Sequence, residues 1–388
     1  MDYWGYVALA IVLGASLLVG TGWWRVAFAL FAIPPQRLTV QRLDLLVTLP
    51  RDVERINMIL PGFARGFNAM ITAPSEAGWR SYCESLPVLC QPFAHEGAAM
   101  GYTLRHLFRY NPADFEERLV KQQPEFRYLY YVGLGFWSGM RNHDARKLSR
   151  VVHGLDPLHR YLCYDGYGFK HAFFDYPKDA DRLGRLDLLE GYARNVAFQG
   201  VGRAFFFLFM GRPEVLVEHV GTLGVHAADA AAGVGLAVAF VNPDRLEVAQ
   251  ELAVKMPSEW HDHIHLGMCF GLKARSINNV EQFERDMARL DSFVQEAVYT
   301  SIRECDRVEL LMRAEEEVDG YQRWREAVAE WMADHIRYPL AGVKSSTGEK
   351  EKRFYPEPRA SSRAESELTH ERPGVNRADR WDQSGGVR

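Results

Sequence analysis

The strongest constraint on the fold of this chain is an internal repetition. Four short segments, most of them rich in small residues, recur in the same order at a nearly constant spacing of about 135 residues. The matched segments are GFARGF (62–67) with GVGRAF (200–205), HEGAAMG (95–101) with DAAAGVG (229–235), GFWSG (135–139) with GMCFG (267–271), and Leu155-Asp156 with Leu290-Asp291. This predicts a duplication, with a first helical repeat over 41–180 and a second over 181–338.

Apolar residues in the body of the chain recur with the period of an α-helix. In VEQFERDMARL (280–290), Val280, Phe283 and Met287 follow one another at steps of three or four residues. No run of alternating apolar and polar residues bounded by turn signals indicates a β-sheet. We therefore expect an all-α fold of two tandem, duplicated helical lobes.

A long uncharged stretch precedes these lobes. Residues 3–24 contain no charged side chain, and about 22 helical residues span a hydrocarbon core of ~30 Å. Tyr3 and Trp4 at one end and Trp23 and Trp24 at the other are typical of the two bilayer interfaces. A cleaved signal peptide fits less well, because the apolar run is long and Asp2 stands where a basic residue is usual. We predict a single N-terminal transmembrane anchor within 1–35.

Charge and cysteine usage give an expected location. Arg25, Arg37 and Arg42 follow the anchor and no basic residue precedes it, which predicts a single-pass protein of the inner (cytoplasmic) membrane with its body in the cytoplasm. The five cysteines include no CxxC pair and favour buried free thiols. The net charge of -4 does not suggest a nucleic-acid partner. Residues 339–388 are polar and poor in aliphatic side chains, so we expect a disordered tail.

Several blocks resemble a known bacterial family, the domain-of-unknown-function family numbered 1702. The resemblance covers about Leu60 to about Glu309, and it is carried by FAHEGAAMG (93–101), LDPLHRYLCYDGYGFKHAFF (155–174), QGVGRAFFF (199–207) and GLKAR (271–275). Members of that family are often encoded beside enediyne polyketide synthase genes. The resemblance therefore implies an association with natural-product assembly, and no particular reaction. A membrane anchor is not a usual feature of the family, so another membrane-associated pathway stays open.

Glu96 is the first candidate for acid–base chemistry. It follows His95 in a small, apolar context, where burial raises the pKa of a carboxyl group toward the range of a general acid or base. The alternative is a structural role, in which Glu96 forms a buried ion pair with Arg65 or Arg203.

The block YDGYGFKH (164–171) is the second candidate. We interpret its glycines as helix-breaking residues that let the polar side chains point into a cleft, although a strained turn between lobes would have the same composition. The predicted catalytic residues are Glu96, Asp165 and His171. The predicted substrate-binding residues are Arg65, Arg203, Tyr164, Tyr167 and Trp137.

A metal site and a phosphate loop are both disfavoured. His261 and His265 have the i,i+4 spacing of a metal pair, but no HExxH and no second matching motif accompanies them. The Gly-x-x-x-Gly spacings lack the lysine of a phosphate loop and are typical of closely packed helices. We predict no metal, and the sequence leaves the identity of any cofactor unknown.

Two hypotheses about function remain. In the first, the chain is a membrane-anchored accessory or modifying protein in the biosynthesis of a hydrophobic, enediyne- or polyketide-like metabolite, which is held between the lobes. Glu96, Asp165 and His171 should then converge on one pocket. In the second, the chain is a non-enzymatic helical scaffold that recruits other pathway proteins to the cytoplasmic membrane face. The polar residues should then pair internally and leave no sizeable cavity.

Overall fold

The fold was analysed in a computed structural model that describes residues 28–47, 49–315 and 319–336. The predicted anchor at 3–24 and the predicted tail at 339–388 lie outside these ranges. Within them the regular secondary structure is entirely helical, which confirms the all-α prediction. All five cysteines are buried as free thiols.

The α-helices, numbered in chain order over the described residues, are α1 (Val40–Leu43), α2 (Pro50–Thr72), α3 (Glu76–Glu84), α4 (Gln91–Arg105), α5 (Pro112–Phe115), α6 (Arg127–Met140), α7 (Ala145–Val152), α8 (Leu162–Lys170), α9 (Tyr192–Leu208), α10 (Pro213–Gly221), α11 (Ala227–Val241), α12 (Leu246–Lys255), α13 (His261–Asn278), α14 (Val280–Met287), α15 (Ser292–Glu315) and α16 (Gly320–His335). Glu116–Val120 and His171–Asp175 form π-helical turns. The segments Pro35–Arg37, Pro124–Phe126, Ala180–Leu188, Gly224–His226 and Ser258–Trp260 are 3-10 helices.

Local sequence signals explain where many of these helices begin. The Ser75 hydroxyl accepts a hydrogen bond from the backbone N–H of Gly78 at the start of α3, and the Asp144 carboxylate accepts one from Lys147 at the start of α7. Proline occupies the first turn of α2, α4 and α10. Backbone N–H groups in the first turn have no intrahelical acceptor, so the lack of an N–H in proline costs no hydrogen bond there.

Seven helices form the centre of the fold: α2, α4, α6, α8, α9, α11 and α13 pack side by side in chain order. Glycine makes each approach close enough for backbone contact. A Cβ atom at Gly166 of α8 would overlap the carbonyl oxygen of Val132 on α6, and one at Gly135 of α6 would overlap the carbonyl oxygen of Cys163 on α8. Each of these interfaces therefore excludes larger side chains from both helices.

This contact repeats along the chain with a short period. Gly133, Gly166, Gly200, Gly233 and Gly267, which each face the preceding helix of the row, follow one another at intervals of 33 or 34 residues. A second glycine two residues later, at Gly135, Gly168, Gly202 and Gly235, faces the following helix. The structural repeat is one long helix together with the segment that leads to the next helix of the row. Four such units account for the spacing of about 135 residues found in the sequence.

Neighbouring helices of the row run parallel. On α6, Gly135 meets Cys163 and Gly139 meets Lys170, so residue numbers rise together along both helices. The same packing crosses the predicted boundary at 180/181, because Gly168 of α8 meets Ala197 of α9. All described residues belong to one compact unit. The division into two lobes is not confirmed and stays a prediction.

The two ends of the row meet each other. Arg55 of α2 pairs with Asp244, which follows α11, and the guanidinium of Arg275 on α13 lies 5.6 Å from the ring of Phe93 on α4. On α16, the fully buried Trp324 packs 4.9 Å from Phe270 of α13.

One described helix, Gly224–Val241, is long and apolar enough to cross a membrane, with a mean hydropathy of 1.6. It is 67% buried inside the protein and includes α11 of the row.

The segment before α2 is held along the surface of α2. The backbone N–H of Ile33 donates to Asn68 Oδ1 (2.8 Å), Asn68 Nδ2 donates to the carbonyl of Ile33 (2.7 Å), and Val40 donates to Asn57 (2.8 Å).

Candidate functional site

A buried polar cluster joins three helices of the row. Arg203 of α9 donates to the Oδ1 of Asp165 on α8, and its Nη2 lies 3.9 Å from the Oε1 of Glu96 on α4. Gln199 donates to the other carboxylate oxygen of Asp165 at 2.7 Å. All four side chains are buried. The predicted pairing of Glu96 with an arginine is confirmed for Arg203, whereas Arg65 is exposed on α2 and takes no part in the cluster.

The glycine contacts position these polar side chains. Asp165 precedes Gly166, Gln199 precedes Gly200, and Arg203 follows Gly202. Each glycine is pressed against a neighbouring backbone, so the residue beside it is directed away from that contact. Asp165 and Arg203 consequently lie at the wall of the central space enclosed by the row.

The cluster contains two carboxyl groups and one guanidinium. Burial raises the pKa of Glu96 to about 7; the cation of Arg203 lowers it and the neighbouring Asp165 raises it. Burial alone would lower the pKa of Arg203. The negative charges of Asp165 and Glu96 outweigh this effect and raise the pKa of Arg203 above its ordinary value. Glu96 is therefore partly protonated near neutral pH, which brings the cluster close to electrical neutrality.

The central space beside this cluster is small. Its volume is about 50 Å³, and it is lined by Tyr128, Leu129, Val132, Leu162, Asp165, Arg203, Leu236, Phe240, Phe270, Ala274, Tyr321 and Trp324. A few water molecules fit there, since one water needs only ~10–15 Å³ on this measure. A metabolite does not fit, because ligand pockets of proteins measure ~300–1,000 Å³.

The block YDGYGFKH adopts a different structure from the one predicted. Residues 162–170 form the continuous helix α8, and a π-helical turn follows from His171. The interpretation of Gly166 and Gly168 as helix breakers is wrong, because both glycines instead admit neighbouring helices.

His171 belongs to a second cluster. Its Nδ1 lies 2.7 Å from the Oδ2 of Asp175, and Lys170 donates to the same oxygen at 2.8 Å. Burial lowers the pKa of His171 to about 4, although the hydrogen bond to Asp175 acts in the opposite direction. Tyr167 donates to the carbonyl of His143 at 2.6 Å. Among the described contacts, none joins His171 to Arg203.

The other predicted residues are also separate from the central space. Tyr164 is buried beside Tyr161, with 6.0 Å between ring centroids, and Trp137 is half-buried. Neither lines the central space. The structure thus brings together Glu96, Asp165 and Arg203, and places His171, Tyr164, Tyr167, Trp137 and Arg65 elsewhere. The catalytic and substrate-binding roles assigned to these residues stay predictions.

The histidines at the start of α13 make ordinary contacts. The Nε2 of His261 lies 2.9 Å from the carbonyl oxygen of Met256, and its ring centroid lies 6.4 Å from that of His265. In the parts of the chain that the structure describes, no group of three or more His, Cys, Asp or Glu side chains is arranged to hold a metal ion.

A larger cavity lies where the first helices of the row, α2 and α4, meet the last helix, α13. We call it the arginine cleft. Its volume is about 440 Å³, and it is lined by Arg51, Glu54, Arg55, Met58, Val88, Leu89, Gln91, Pro92, Pro243, Asp244, Arg245, Arg275, Asn278, Asn279, Gln282, Phe283, Asp286 and Arg289. These residues come from α2, the turn before α4 and its start, the segment after α11, the end of α13, and α14 with the residues that flank it.

The five arginines of the cleft differ in their partners. Arg55 makes two hydrogen bonds of 2.8 Å with the carboxylate of Asp244. Arg275, by contrast, has no carboxylate within ion-pair distance among the described residues. Burial, and then the nearby Arg55, lower the pKa of Arg275 to about 9.

Sequence reasoning missed the arginine cleft entirely. One signal was present: Arg275 ends the block GLKAR, and its contact Phe93 begins the block FAHEGAAMG. Both blocks carry the family resemblance, but neither Arg275 nor Phe93 was predicted as a site residue.

The fold and its cavities define a class of protein: a row of parallel, glycine-packed helices whose ends enclose an arginine-lined cleft. Residues 23–332 match the family described as protein of unknown function (DUF1702). The chain therefore belongs to that family. No curated protein and no solved structure matches it.

Proposed function

We propose that this chain is a membrane-anchored accessory or modifying protein in the biosynthesis of a hydrophobic, enediyne- or polyketide-like metabolite, and that it binds its ligand in the arginine cleft. The observation that carries the proposal is the cleft itself. Its volume of about 440 Å³ lies within the range of small-molecule pockets. Its walls combine apolar surface from Met58, Leu89 and Phe283 with the charge of the arginines.

Ligand binding is better supported than catalysis at the central cluster. Glu96 and Asp165 both pair with Arg203, and the space beside them holds only water-sized molecules. Such internal pairing is what a non-enzymatic scaffold predicts. The scaffold also predicts that no sizeable cavity exists, and the arginine cleft argues against it.

The proposal includes a location. The uncharged stretch at 3–24, within residues 1–35, would anchor the chain in the inner membrane, with the body on the cytoplasmic side and the two predicted lobes as products of a duplication. Support comes from the segment that follows the expected anchor, because Ile33 and Val40 are hydrogen-bonded to Asn68 and Asn57 of α2. An anchor joined in this way would hold the body at a defined orientation.

Native mass spectrometry of the full chain, purified from its own host in lipid nanodiscs, tests this function. We expect a small hydrophobic molecule to accompany the wild-type protein. Met58→Trp should displace it by filling the cleft wall, whereas Met140→Trp, at a position 43% exposed and outside the cleft, should retain it. A molecule that remains bound to Met58→Trp would place the ligand elsewhere. No molecule in any of the three proteins would favour the scaffold.

A further inference from the structure

Arg275 is buried at the wall of the arginine cleft and is held there by neutral groups. It is 6% exposed. Its Nε donates to the carbonyl of Phe240 at 2.6 Å, its Nη2 donates to that of Leu89 at 3.5 Å, and its guanidinium lies 4.1 Å from the ring of Phe240. These contacts fix the position of the guanidinium without supplying a negative charge.

The other arginines of the cleft each have a carboxylate within 4 Å, so Arg275 differs from all of them. The pairs, with their shortest N–O distances, are Arg51 with Asp52 (3.9 Å), Arg55 with Asp244 (2.8 Å), Arg245 with Asp52 (3.9 Å) and Arg289 with Asp286 (3.8 Å). A guanidinium stays charged in proteins, and a buried charge without a counter-ion is strongly unfavourable. The protein retains this charge in a cleft large enough for a ligand.

Two further polar atoms of the cleft residues are buried without a hydrogen-bond partner. They are the Nε of Arg245 and the Oδ1 of Asn278. Asn278 is 7% exposed and is one helical turn beyond Arg275 on α13. Both atoms are closed off from solvent, so each leaves a hydrogen bond unmade in the free protein.

We propose that Arg275 binds the carboxylate of a hydrophobic organic acid, whose chain lies against Met58, Leu89 and Phe283. This inference rests on the proposed function and names the chemical class of its ligand. A carboxylate with a single negative charge would supply the counter-ion that Arg275 lacks. A phosphate, with up to two negative charges, would neutralise Arg275 and still place a second negative charge beside Asp244 and Asp286. An arginine also pairs with a carboxylate through two parallel hydrogen bonds, which adds orientation to affinity.

Isothermal titration of the full chain in lipid nanodiscs, with empty nanodiscs as the blank, tests the inference with three probes: sodium octanoate, 1-octanol and inorganic phosphate. We expect octanoate to bind more tightly than octanol, and phosphate not to bind. Arg275→Met should weaken octanoate binding by about tenfold or more, because a charge-assisted pair is lost. Arg303→Met, at a side chain that is 63% exposed and lies outside the cleft, should leave octanoate binding within about twofold.

The folding of the variant provides an independent check. Arg275 has no carboxylate partner, so we expect Arg275→Met to unfold at a temperature equal to or above that of the wild type without ligand.

Equal octanoate binding by Arg275→Met and wild type would overturn the assignment to Arg275. Equal binding of octanol and octanoate would overturn the carboxylate and leave the ligand-binding cleft standing. Binding of phosphate alone would assign a phosphorylated ligand instead. Binding of none of the probes would overturn the hydrophobic acid, while the mass-spectrometry result would still decide the proposed function separately.

Discussion

The Nη2 of Arg203 lies 3.9 Å from the Oε1 of Glu96, and the same guanidinium donates to Asp165. One arginine thus links α4, α8 and α9, which lie at different places along the row. Since Glu96 is 4% exposed and Asp165 1% exposed, neither carboxyl group can exchange this partner for water. The cluster fixes the relative positions of three helices, and its charge state depends on whether Glu96 is protonated.

The stability of the fold should decrease with pH because of Glu96. Its pKa is raised from the ordinary 4.5 to about 7, so the folded state binds the proton more tightly than the unfolded state. The stabilisation is complete below pH 4.5 and is lost as pH rises through about 7, with a total of roughly 3 kcal/mol. Urea unfolding from pH 5 to pH 8, followed by tryptophan fluorescence, measures this effect.

Glu96→Gln isolates this contribution from that of the histidines. Burial lowers the pKa of His95 to about 3 and that of His171 to about 4, so their contribution to stability rises with pH toward 6.5 and opposes that of Glu96. Glutamine resembles the protonated carboxyl group. We expect the variant to match the wild type near pH 5 and to be more stable at pH 8. A difference that does not change with pH would show that Glu96 is ionised throughout this range.

The helix row should not tolerate a side chain at its glycine contacts. In Gly166→Ala the added Cβ overlaps the carbonyl oxygen of Val132, so α6 and α8 must move apart. We expect a loss of about 3 kcal/mol or more in the free energy of unfolding. The control is Gly184→Ala, where a Cβ meets nothing within 4 Å, and the expected change is within about 0.5 kcal/mol. Similar losses in both variants would contradict backbone contact as the reason for glycine.

Part of the fold could be predicted from the sequence because some signals are local. The period of Val280, Phe283 and Met287 correctly indicated a helix, and α14 begins at Val280. The length of the repeat could not be read in the same way. Gly135 and Gly267 were matched at about 135 residues, yet Gly135 faces the following helix and Gly267 the preceding one. Single glycines at intervals of 33 or 34 residues, separated by residues that differ from one unit to the next, are too weak a signal for the short repeat to be recognised in the sequence.

The candidate site was predicted only where neighbouring residues carried the signal. Glu96 stood out beside His95, and the shared arginine of the repeated segments offered two partners for it, Arg65 and Arg203, of which the structure has Arg203. The arginine cleft has no such local motif, because Arg55, Arg245 and Arg275 are brought together only when the ends of the row meet. Their partners differ too, and only the folded chain reveals that Arg275 lacks a carboxylate.

The segment that follows the expected anchor should be released by Asn68→Ala. This change removes both hydrogen bonds to the backbone of Ile33. We expect faster tryptic cleavage at Arg37 and Arg42 in nanodiscs, with a loss of only about 1–2 kcal/mol in global stability. Asn111→Ala, which removes a helix cap at α5, serves as the control and should not accelerate cleavage at these sites. Unchanged cleavage in Asn68→Ala would mean that other contacts hold the segment.

Arg203→Met should be strongly destabilising, since it leaves Asp165 and Glu96 buried without their cation. We expect a loss of about 3–5 kcal/mol in urea unfolding at pH 8, where Glu96 is mostly ionised. Arg303→Met removes an exposed pair with Glu296 and should change stability by less than about 1 kcal/mol. The triple variant Arg203→Met, Asp165→Asn, Glu96→Gln removes the unpaired charges and should recover most of the loss. If it does not, the guanidinium acts mainly through its packing 5.3 Å from the ring of Phe169, and charge balance is not the reason that α4, α8 and α9 share this arginine.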